Sequence, residues 1–233
     1  MNTKTIFLLS ALVAIFISSC KKEEDSVRIL DENYNPVIAP ANFVAGVTNP
    51  YFPLTPGKVY KYEEGLETNE VSILNETRVV AGVTCVVVHD VVKKEGVLVE
   101  DTYDWYAQDV DGNVWYFGED VSSYENGVFA NHDGSWETGV DGAKPGIIMM
   151  ANPVQELPYR QEYYFDNTED WGKVVAKDLT VTTPYGTFTN CIKTEDWNAI
   201  EPGIIERKYY APGTGFVKEE TATGGFVELV EIL

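Results

Sequence analysis

Five glycines recur at nearly even spacing through the first half of the chain, each beside a turn-favouring or charged neighbour. They lie 17, 14, 16 and 15 residues apart, at Gly65, Gly82, Gly96, Gly112 and Gly127. The segments between them are rich in valine, threonine, tyrosine and tryptophan, which favour pleated strands. Links this short join antiparallel neighbours, because parallel strands need long crossovers. The sequence therefore predicts an antiparallel meander over residues 60–130.

Strand-like segments resume after a section rich in glycine and proline, residues 131–161. We expect this section to be a long loop with short pieces of structure that crosses an end of the sheet. No stretch after the first twenty residues shows helical periodicity, so no helix is expected to cover the sheet. Strands of about eleven residues would be roughly 36 Å long, and sheets of such strands twist and curl. The predicted fold is therefore all-β: a single antiparallel meander of about ten long strands, curled into a barrel or half-barrel.

The segment "VTCVVVHDVV", residues 83–92, is apolar on both alternating faces at its centre. One face of such a strand meets the interior of the sheet. We expect the other face to be covered by a neighbouring segment.

The N-terminal segment differs from the rest of the chain. Lys4 precedes a short apolar run that ends in small residues and Cys20. This pattern is typical of an export signal and not of a membrane span. The ending "ISSC" resembles the lipobox of bacterial lipoproteins, and the alternative is an ordinary secretory signal with an incidental cysteine. We expect residues 1–19 to be a signal peptide, residues 20–49 a lipidated N-terminus and flexible tether, and residues 50–233 the β domain.

The lipid on Cys20 would anchor the mature chain to a membrane without spanning it. The charged residues "KKEED" that follow resemble a signal that sends some lipoproteins to the outer face of the cell. The expected location is the outer membrane, and the sequence leaves open whether the protein is surface-exposed or faces the periplasm.

The formal net charge is -20, from 37 acidic and 17 basic residues. A chain this acidic repels phosphate backbones, so nucleic acid is not an expected partner. No cofactor is expected either. Cys85 and Cys191 both lie in strand-like segments, and in an oxidising compartment they either form a disulfide or remain two buried thiols.

The stretch "DVDGNVWYFGED", Asp109–Asp120, suggests either a calcium loop or a hairpin tip. An EF-hand register from Asp109 places Asp111 and Asn113 at ligand positions but puts valine where the loop needs glycine. Asp111-Gly112 between two aromatic runs is a strong hairpin signal. The hairpin is the prediction, with Asp109, Asp111 and Asn113 kept as the candidate metal ligands.

Candidate catalytic residues are Glu100, Asp101 and Asp104, together with His89. Paired carboxylates among aromatic residues suit sugar binding or glycoside hydrolysis. Alternation along the strand puts Glu100 and Asp104 on one face and Asp101, Tyr103 and Trp105 on the other. No nucleophile elbow or phosphate-binding loop is present in the sequence.

Three longer blocks carry a resemblance: "NPYFPLTPGKVYKYE", "DTYDWYAQDVDGNVWYFGE" and "EPGIIERKYYAPGTGFVKEE". In their order they resemble a family of uncharacterised secreted bacterial proteins and lipoproteins. The resemblance covers most of residues 42–233. It implies a single all-β domain outside the cytoplasm and brings no activity with it.

The leading hypothesis is a membrane-anchored lipoprotein of the cell envelope that binds a small ligand or an envelope protein and is not an enzyme. The alternatives are an envelope hydrolase that uses the strand carboxylates, and a purely structural envelope protein.

Overall fold

The computed structural model describes residues 33–200 and 203–233, and within them the fold is all-β. A short 3-10 helix at Pro40–Asn42 is followed by sixteen strands in these residues. The strands are β1 (Phe43–Val44), β2 (Val59–Glu64), β3 (Glu67–Val80), β4 (Val83–Lys94), β5 (Val97–Asp109), β6 (Val114–Glu125), β7 (Val128–Asn131), β8 (Trp136–Glu137), β9 (Lys144–Met149), β10 (Tyr159–Arg160), β11 (Glu162–Tyr163), β12 (Asp170–Thr182), β13 (Thr187–Asn198), β14 (Arg207–Ala211), β15 (Gly215–Glu220) and β16 (Phe226–Ile232).

Two antiparallel meanders, β2–β6 and β12–β16, make up most of the sheet, and β16 pairs with β2 to join them. The predicted fold class is confirmed: the sheet is a nearly closed antiparallel barrel. The strand count was underestimated, since thirteen strands lie on the continuous path against the ten expected. The difference comes mainly from the short strands β9, β10 and β11.

The positions of the glycine turns confirm the predicted antiparallel meander. All five glycines lie in or directly beside the turns between consecutive strands from β2 to β7. In Glu95-Gly96 and Asn126-Gly127 both turn residues have positive φ, at 52° and 78° and at 53° and 77°. This is the conformation of two-residue hairpin turns whose twist matches that of the flanking strands.

One five-residue segment joins the two free edges of the sheet. Residues 159–160, in β10, pair with β12, and residues 162–163, in β11, pair with β9. Between them the Gln161 amide donates to the Asp170 carbonyl at 2.8 Å. The segment Tyr159–Tyr163, called the seam below, therefore brings β9 and β12 together and closes the barrel.

The prediction for residues 131–161 was partly wrong. These residues do contain loops with short pieces of structure, but β9 does not cross an end of the sheet. It pairs with β6 on one side and with β11 on the other. This six-residue strand contains Pro145 and Gly146, and neither residue type favours a strand in the sequence.

The outer face of β4–β6 carries a second hydrophobic cluster. Its buried members are Val80, Val83, Cys85, Val87, Trp105, Ala107 and Phe117. Ile38 and Phe43 pack over it, and the Phe43 ring meets the Phe117 ring edge-on at 5.4 Å. The predicted covering segment is thus confirmed, and it is the N-terminal stretch of the described chain.

This packing corrects the expected tether. Val47 and Asn49 are buried, and β1 pairs with β5. Residues 33–49 therefore belong to the folded body, contrary to the expectation of a flexible segment up to residue 49. The predicted signal peptide, Cys20 and the rest of the predicted tether lie outside the described residues. In the described part of the chain, no helix is long and apolar enough to span a membrane.

Candidate functional site

The interior of the barrel holds a cavity of about 270 Å³. Side chains from both meanders line it, which places it in the lumen. The aromatic part of its wall consists of Phe52, Tyr60, Tyr62, Tyr106, Tyr210 and Phe216. Four charged side chains also line it: Asp90, Asp104, Lys208 and Glu219. We call this space the aromatic cavity.

Residues 47–54 cross one end of the barrel beside this cavity. The Asn49 side chain donates to the Gly112 carbonyl in the β5–β6 turn at 3.0 Å. On the opposite side, the Gly213 amide in the β14–β15 turn donates to the Pro50 carbonyl at 2.7 Å. Phe52 and Leu54 of this segment line the cavity. The segment therefore forms the floor of the lumen at this end.

Asp90 and Asp104 are diagonal neighbours on the inner face of β4 and β5, since Val88 pairs with Asp104 and Asp90 with Thr102. The Tyr116 hydroxyl donates to Asp104 Oδ1 at 2.6 Å, and the Asn69 amide donates to Asp90 Oδ2 at 3.2 Å. Asp90 Oδ1 is buried and receives no hydrogen bond. The pair therefore has fewer donors than two ionised carboxylates require.

Burial makes these carboxyls weak acids. It raises the pKa of Asp90 to about 7, with the charge of Asp104 adding to the effect. It raises the pKa of Asp104 to about 7 as well, helped by the charge of Glu119. Burial likewise raises the pKa of Glu119 and of Glu219 to about 7. Near neutral pH the inner wall is thus partly protonated and can gain or lose charge.

Lys208 is the positively charged side chain among the described residues that line the aromatic cavity. Its Nζ lies 3.3 Å from carboxylate oxygens of both Asp196 and Glu206. Burial alone would lower the pKa of Lys208, but the neighbouring negative charges, Asp196 foremost, hold it well above its usual range. Lys208 is therefore charged and already engaged by two carboxylates.

A second cavity, of about 230 Å³, adjoins Lys208. It is lined by Gln161, Asp170, Asp196, Trp197, Asn198, Ile204, Glu206 and Lys208. Gln161 is buried, and its Nε2 donates no hydrogen bond. Lys208 lines both spaces and is the side chain that they share.

A further buried carboxyl, Glu162, lies on the seam. Its Oε1 accepts a short hydrogen bond from the Thr168 hydroxyl. Burial and a hydrogen bond shared with Asp170 hold the pKa of Glu162 well above its usual range. Burial and the neighbouring Asp170 carboxyl therefore favour the protonated form of Glu162.

The structure divides the four sequence-based catalytic candidates between two faces of the sheet, as alternation predicted. Asp104 lies in the aromatic cavity, and Glu100 is on the same inner face. Asp101 and His89 lie outside, where His89 Nε2 is 2.9 Å from Asp101 Oδ1 and the His89 ring stacks on Tyr103 at 4.3 Å. The four residues therefore do not form one site.

The other carboxyls that line the aromatic cavity, Asp90 and Glu219, were not among the sequence candidates. Asp90 could have been found from the alternation in "VVVHD", because Val86 and Val88 share its face. Glu219 and Lys208 come from distant strands. No local signal connects them with Asp104.

Asp109–Asp120 forms the predicted hairpin, with a turn at residues 110–113 between β5 and β6. Asp109 Oδ1 accepts from the amides of Asp111 and Asn113, at 3.0 and 2.9 Å. Its Oδ2 accepts from Asn113 Nδ2 at 2.9 Å and from Trp115 Nε1 at 2.8 Å. Of the three candidate metal ligands, Asp109 therefore stabilises the turn by accepting four hydrogen bonds. Within the described ranges, no group of three or more His, Cys, Asp and Glu side chains is arranged around a metal position.

Replacing Asp109 with alanine should lower the free energy of unfolding by about 1–3 kcal/mol, because four donors lose their acceptor. Asp111→Ala is the matched control. Asp111 is an exposed neighbour in the same turn, and its loss should change stability by less than about 0.5 kcal/mol. Urea denaturation of the two variants measures the difference. Equal stabilities would contradict this role of Asp109.

Cys85 and Cys191 are free thiols in the structure, and both are buried. They lie in different hydrophobic clusters, Cys85 on the outer face and Cys191 in the main core. The disulfide alternative is therefore not realised, and both residues pack as small apolar side chains. Burial raises the pKa of Cys85 to about 12.

Comparison with known proteins gives a structural similarity but no family. No protein-family model matches the chain, and no curated protein matches it at a significant level. Among solved structures, the chain is similar to the crystal structure of a "putative lipoprotein" from Parabacteroides distasonis ATCC 8503, with 15% sequence identity and a TM-score of 0.35. The aligned region covers 79% of this chain and 99% of that chain. At this TM-score the likeness is too weak to define a common fold.

Proposed function

We propose that the protein is a membrane-anchored lipoprotein of the cell envelope whose barrel binds a small molecule in its lumen without transforming it. The observation that carries the binding role is the aromatic cavity, a concave and largely apolar space with a few convergent polar groups. Binding sites for small molecules have this composition. A protein with a purely structural role has no need of charged side chains at the centre of its core, where burial disfavours their ionised forms.

The lumen is a defined target for a blocking substitution. Val71 lines the aromatic cavity from β3, whereas Val79 on the same strand is 65% exposed on the outside. Phenylalanine at position 71 would occupy part of the cavity. The same substitution at position 79 adds an equal volume in solvent.

Native mass spectrometry of the protein purified from its own host should show a co-purifying small molecule. We expect that molecule to be retained in Val79→Phe and lost in Val71→Phe, with both variants folded by circular dichroism. Absence of any bound molecule from the wild-type protein would favour the structural alternative. Conversion of the released molecule by fresh protein would favour the hydrolase alternative, for which Asp104 in its aromatic surroundings is the candidate acid.

The sequence around Cys20 supports a lipid anchor. We propose that the lipid on this residue places the domain at the outer membrane, facing either the cell surface or the periplasm. The mature chain should begin at Cys20 and carry acyl groups on it, because two or more chains anchor stably where one does not. Intact-mass measurement of membrane-extracted protein detects the added mass. The variant Cys20→Ser should appear in the soluble fraction, and Cys85→Ser, the control, should stay with the membrane. An unmodified Cys20 would remove the anchor.

A further inference from the structure

The aromatic cavity carries an excess of acidic groups. Asp90, Asp104 and Glu219 line it, and its single lining cation, Lys208, is held by Asp196 and Glu206. Glu119 adds a fourth carboxyl close to Asp104. Among the described residues that line the cavity, none besides Lys208 is a cation, so Asp90 and Asp104 have no positively charged partner there.

The aromatic rings of the cavity also suit a positively charged ligand. The faces of tyrosine and phenylalanine rings are negative and attract cations that lie within about 6 Å of the ring centre. The rings of Tyr60, Tyr62 and Tyr106 line the same cavity as Asp90 and Asp104. An ionised carboxylate in a low-dielectric space is stabilised when a ligand brings a positive charge and a hydrogen-bond donor to it.

Building on the lumen-binding role proposed above, we propose that the ligand is an organic cation, an amine or quaternary ammonium with an apolar body, whose charged group contacts Asp90 and Asp104. The cavity of about 270 Å³ has the volume of about nine water molecules at roughly 30 Å³ each. The apolar body packs against the aromatic wall. The ionised acids repel anions, and they offer a neutral molecule no attraction between charges.

Binding of such a ligand is coupled to protons. The pKa of Asp90 and of Asp104 is about 7 in the free protein, so a fraction of both groups is protonated at neutral pH. A bound cation favours the ionised forms and releases those protons. The titratable and charged groups around this pair lie on five strands: Tyr60 and Tyr62 on β2, His89 on β4, Glu100 and Tyr106 on β5, Tyr116 and Glu119 on β6, and Lys208 and Tyr210 on β14. Glu219 on β15 lines the same cavity.

Three probes of similar size distinguish the binding of a cation, a neutral molecule and an anion: phenethylammonium, 2-phenylethanol and phenylacetate. Isothermal titration calorimetry at pH 8 should show the ammonium binding at least tenfold more tightly than the alcohol, with no binding of phenylacetate. The ammonium affinity should fall at least tenfold between pH 8 and pH 5.5, whereas that of the alcohol should not change. Titrations at pH 7 in buffers of different ionisation enthalpy should show proton release on ammonium binding.

The variants Asp90→Asn and Asp104→Asn should each weaken the ammonium at least tenfold and leave the alcohol unaffected. Asp101→Asn, three residues before Asp104 and on the outer face of β5, is the matched control and should bind all probes like the wild type. Equal affinity for the ammonium and the alcohol would overturn the cation assignment and leave the lumen-binding role intact. Failure of all three probes, together with the absence of a co-purifying molecule, would remove both.

Discussion

Raising the pH from 5 to 8 should lower the free energy of unfolding by several kcal/mol. In the folded protein the pKa of Asp90, Asp104 and Glu119 is about 7, while ordinary aspartate and glutamate side chains titrate at 3.8 and 4.5. Between about pH 4 and 7 the folded state therefore binds more protons than the unfolded chain, and stability falls as the pH rises. The stabilisation is fully present below the unfolded pKa and is lost as the pH passes through 7. A carboxyl whose pKa rises from 3.8 to about 7, as that of Asp104 does, loses on the order of 2–3 kcal/mol of stabilisation between pH 5 and pH 8, out of about 4 kcal/mol in total.

Urea denaturation at pH 5, 6, 7 and 8 measures this dependence directly. Asp104→Asn should flatten the curve and raise stability at pH 8 by on the order of 2–4 kcal/mol, because the amide can still accept the Tyr116 hydrogen bond and carries no charge to bury. Asp111→Asn, whose carboxylate is exposed in the β5–β6 turn, should keep the wild-type pH dependence. Stability that rises with pH, or a wild-type curve as flat as that of Asp104→Asn, would show that the inner carboxyls are solvated.

Replacing Gly146 with alanine should destabilise the protein by at least about 3 kcal/mol, because the added methyl group collides with the seam. A Cβ at this position would lie 2.4 Å from the carbonyl carbon and oxygen of Gln161 and 2.5 Å from the carbonyl oxygen of Arg160. These are backbone atoms, so the collision is relieved only by moving β9 away from the seam. The barrel would then lose the closure between β9 and β12.

Gly186 provides the matched control. A Cβ at position 186 meets no atom within 4 Å, and this glycine does not have positive φ. Gly186→Ala should therefore be neutral or stabilising by up to about 1 kcal/mol. Denaturation experiments give both values, and hydrogen exchange should show faster exchange of β9 and β12 amides in Gly146→Ala alone. Wild-type stability in Gly146→Ala would mean that the seam does not close the barrel.

Much of the fold could be predicted because its signals are local. Turn glycines such as Gly96 and Gly127 mark the ends of strands, and alternation assigns each side chain of a strand to a face. The division of Asp104 from Asp101 follows from that alternation alone. These features depend only on neighbours along the chain.

The closure and the composition of the lumen could not be predicted, because they depend on long-range pairing. Phe216 and Glu219 both line the cavity from β15, although simple alternation would put them on opposite faces. The pairing of β15 with β14 has an irregularity between Phe216 and Lys218, and this changes the alternation. The seam consists of two-residue strands, too short for any periodic signal. Phe43 covers the outer cluster through contacts with residues more than seventy positions away, and its own segment is rich in residues typical of a tether.

If the barrel encloses the binding site, a bound ligand must lie against side chains of its inner face. Methyl-labelled protein titrated with phenethylammonium would report on Val71, Ile73 and Val88, which line the aromatic cavity, and on Val79 and Val97, which are exposed outside it. We predict that the methyl resonances of the three inner residues shift with a common dissociation constant while those of the outer two stay fixed. Shifts confined to the outer valines, or no shift at any inner methyl, would rule out a binding site inside the barrel.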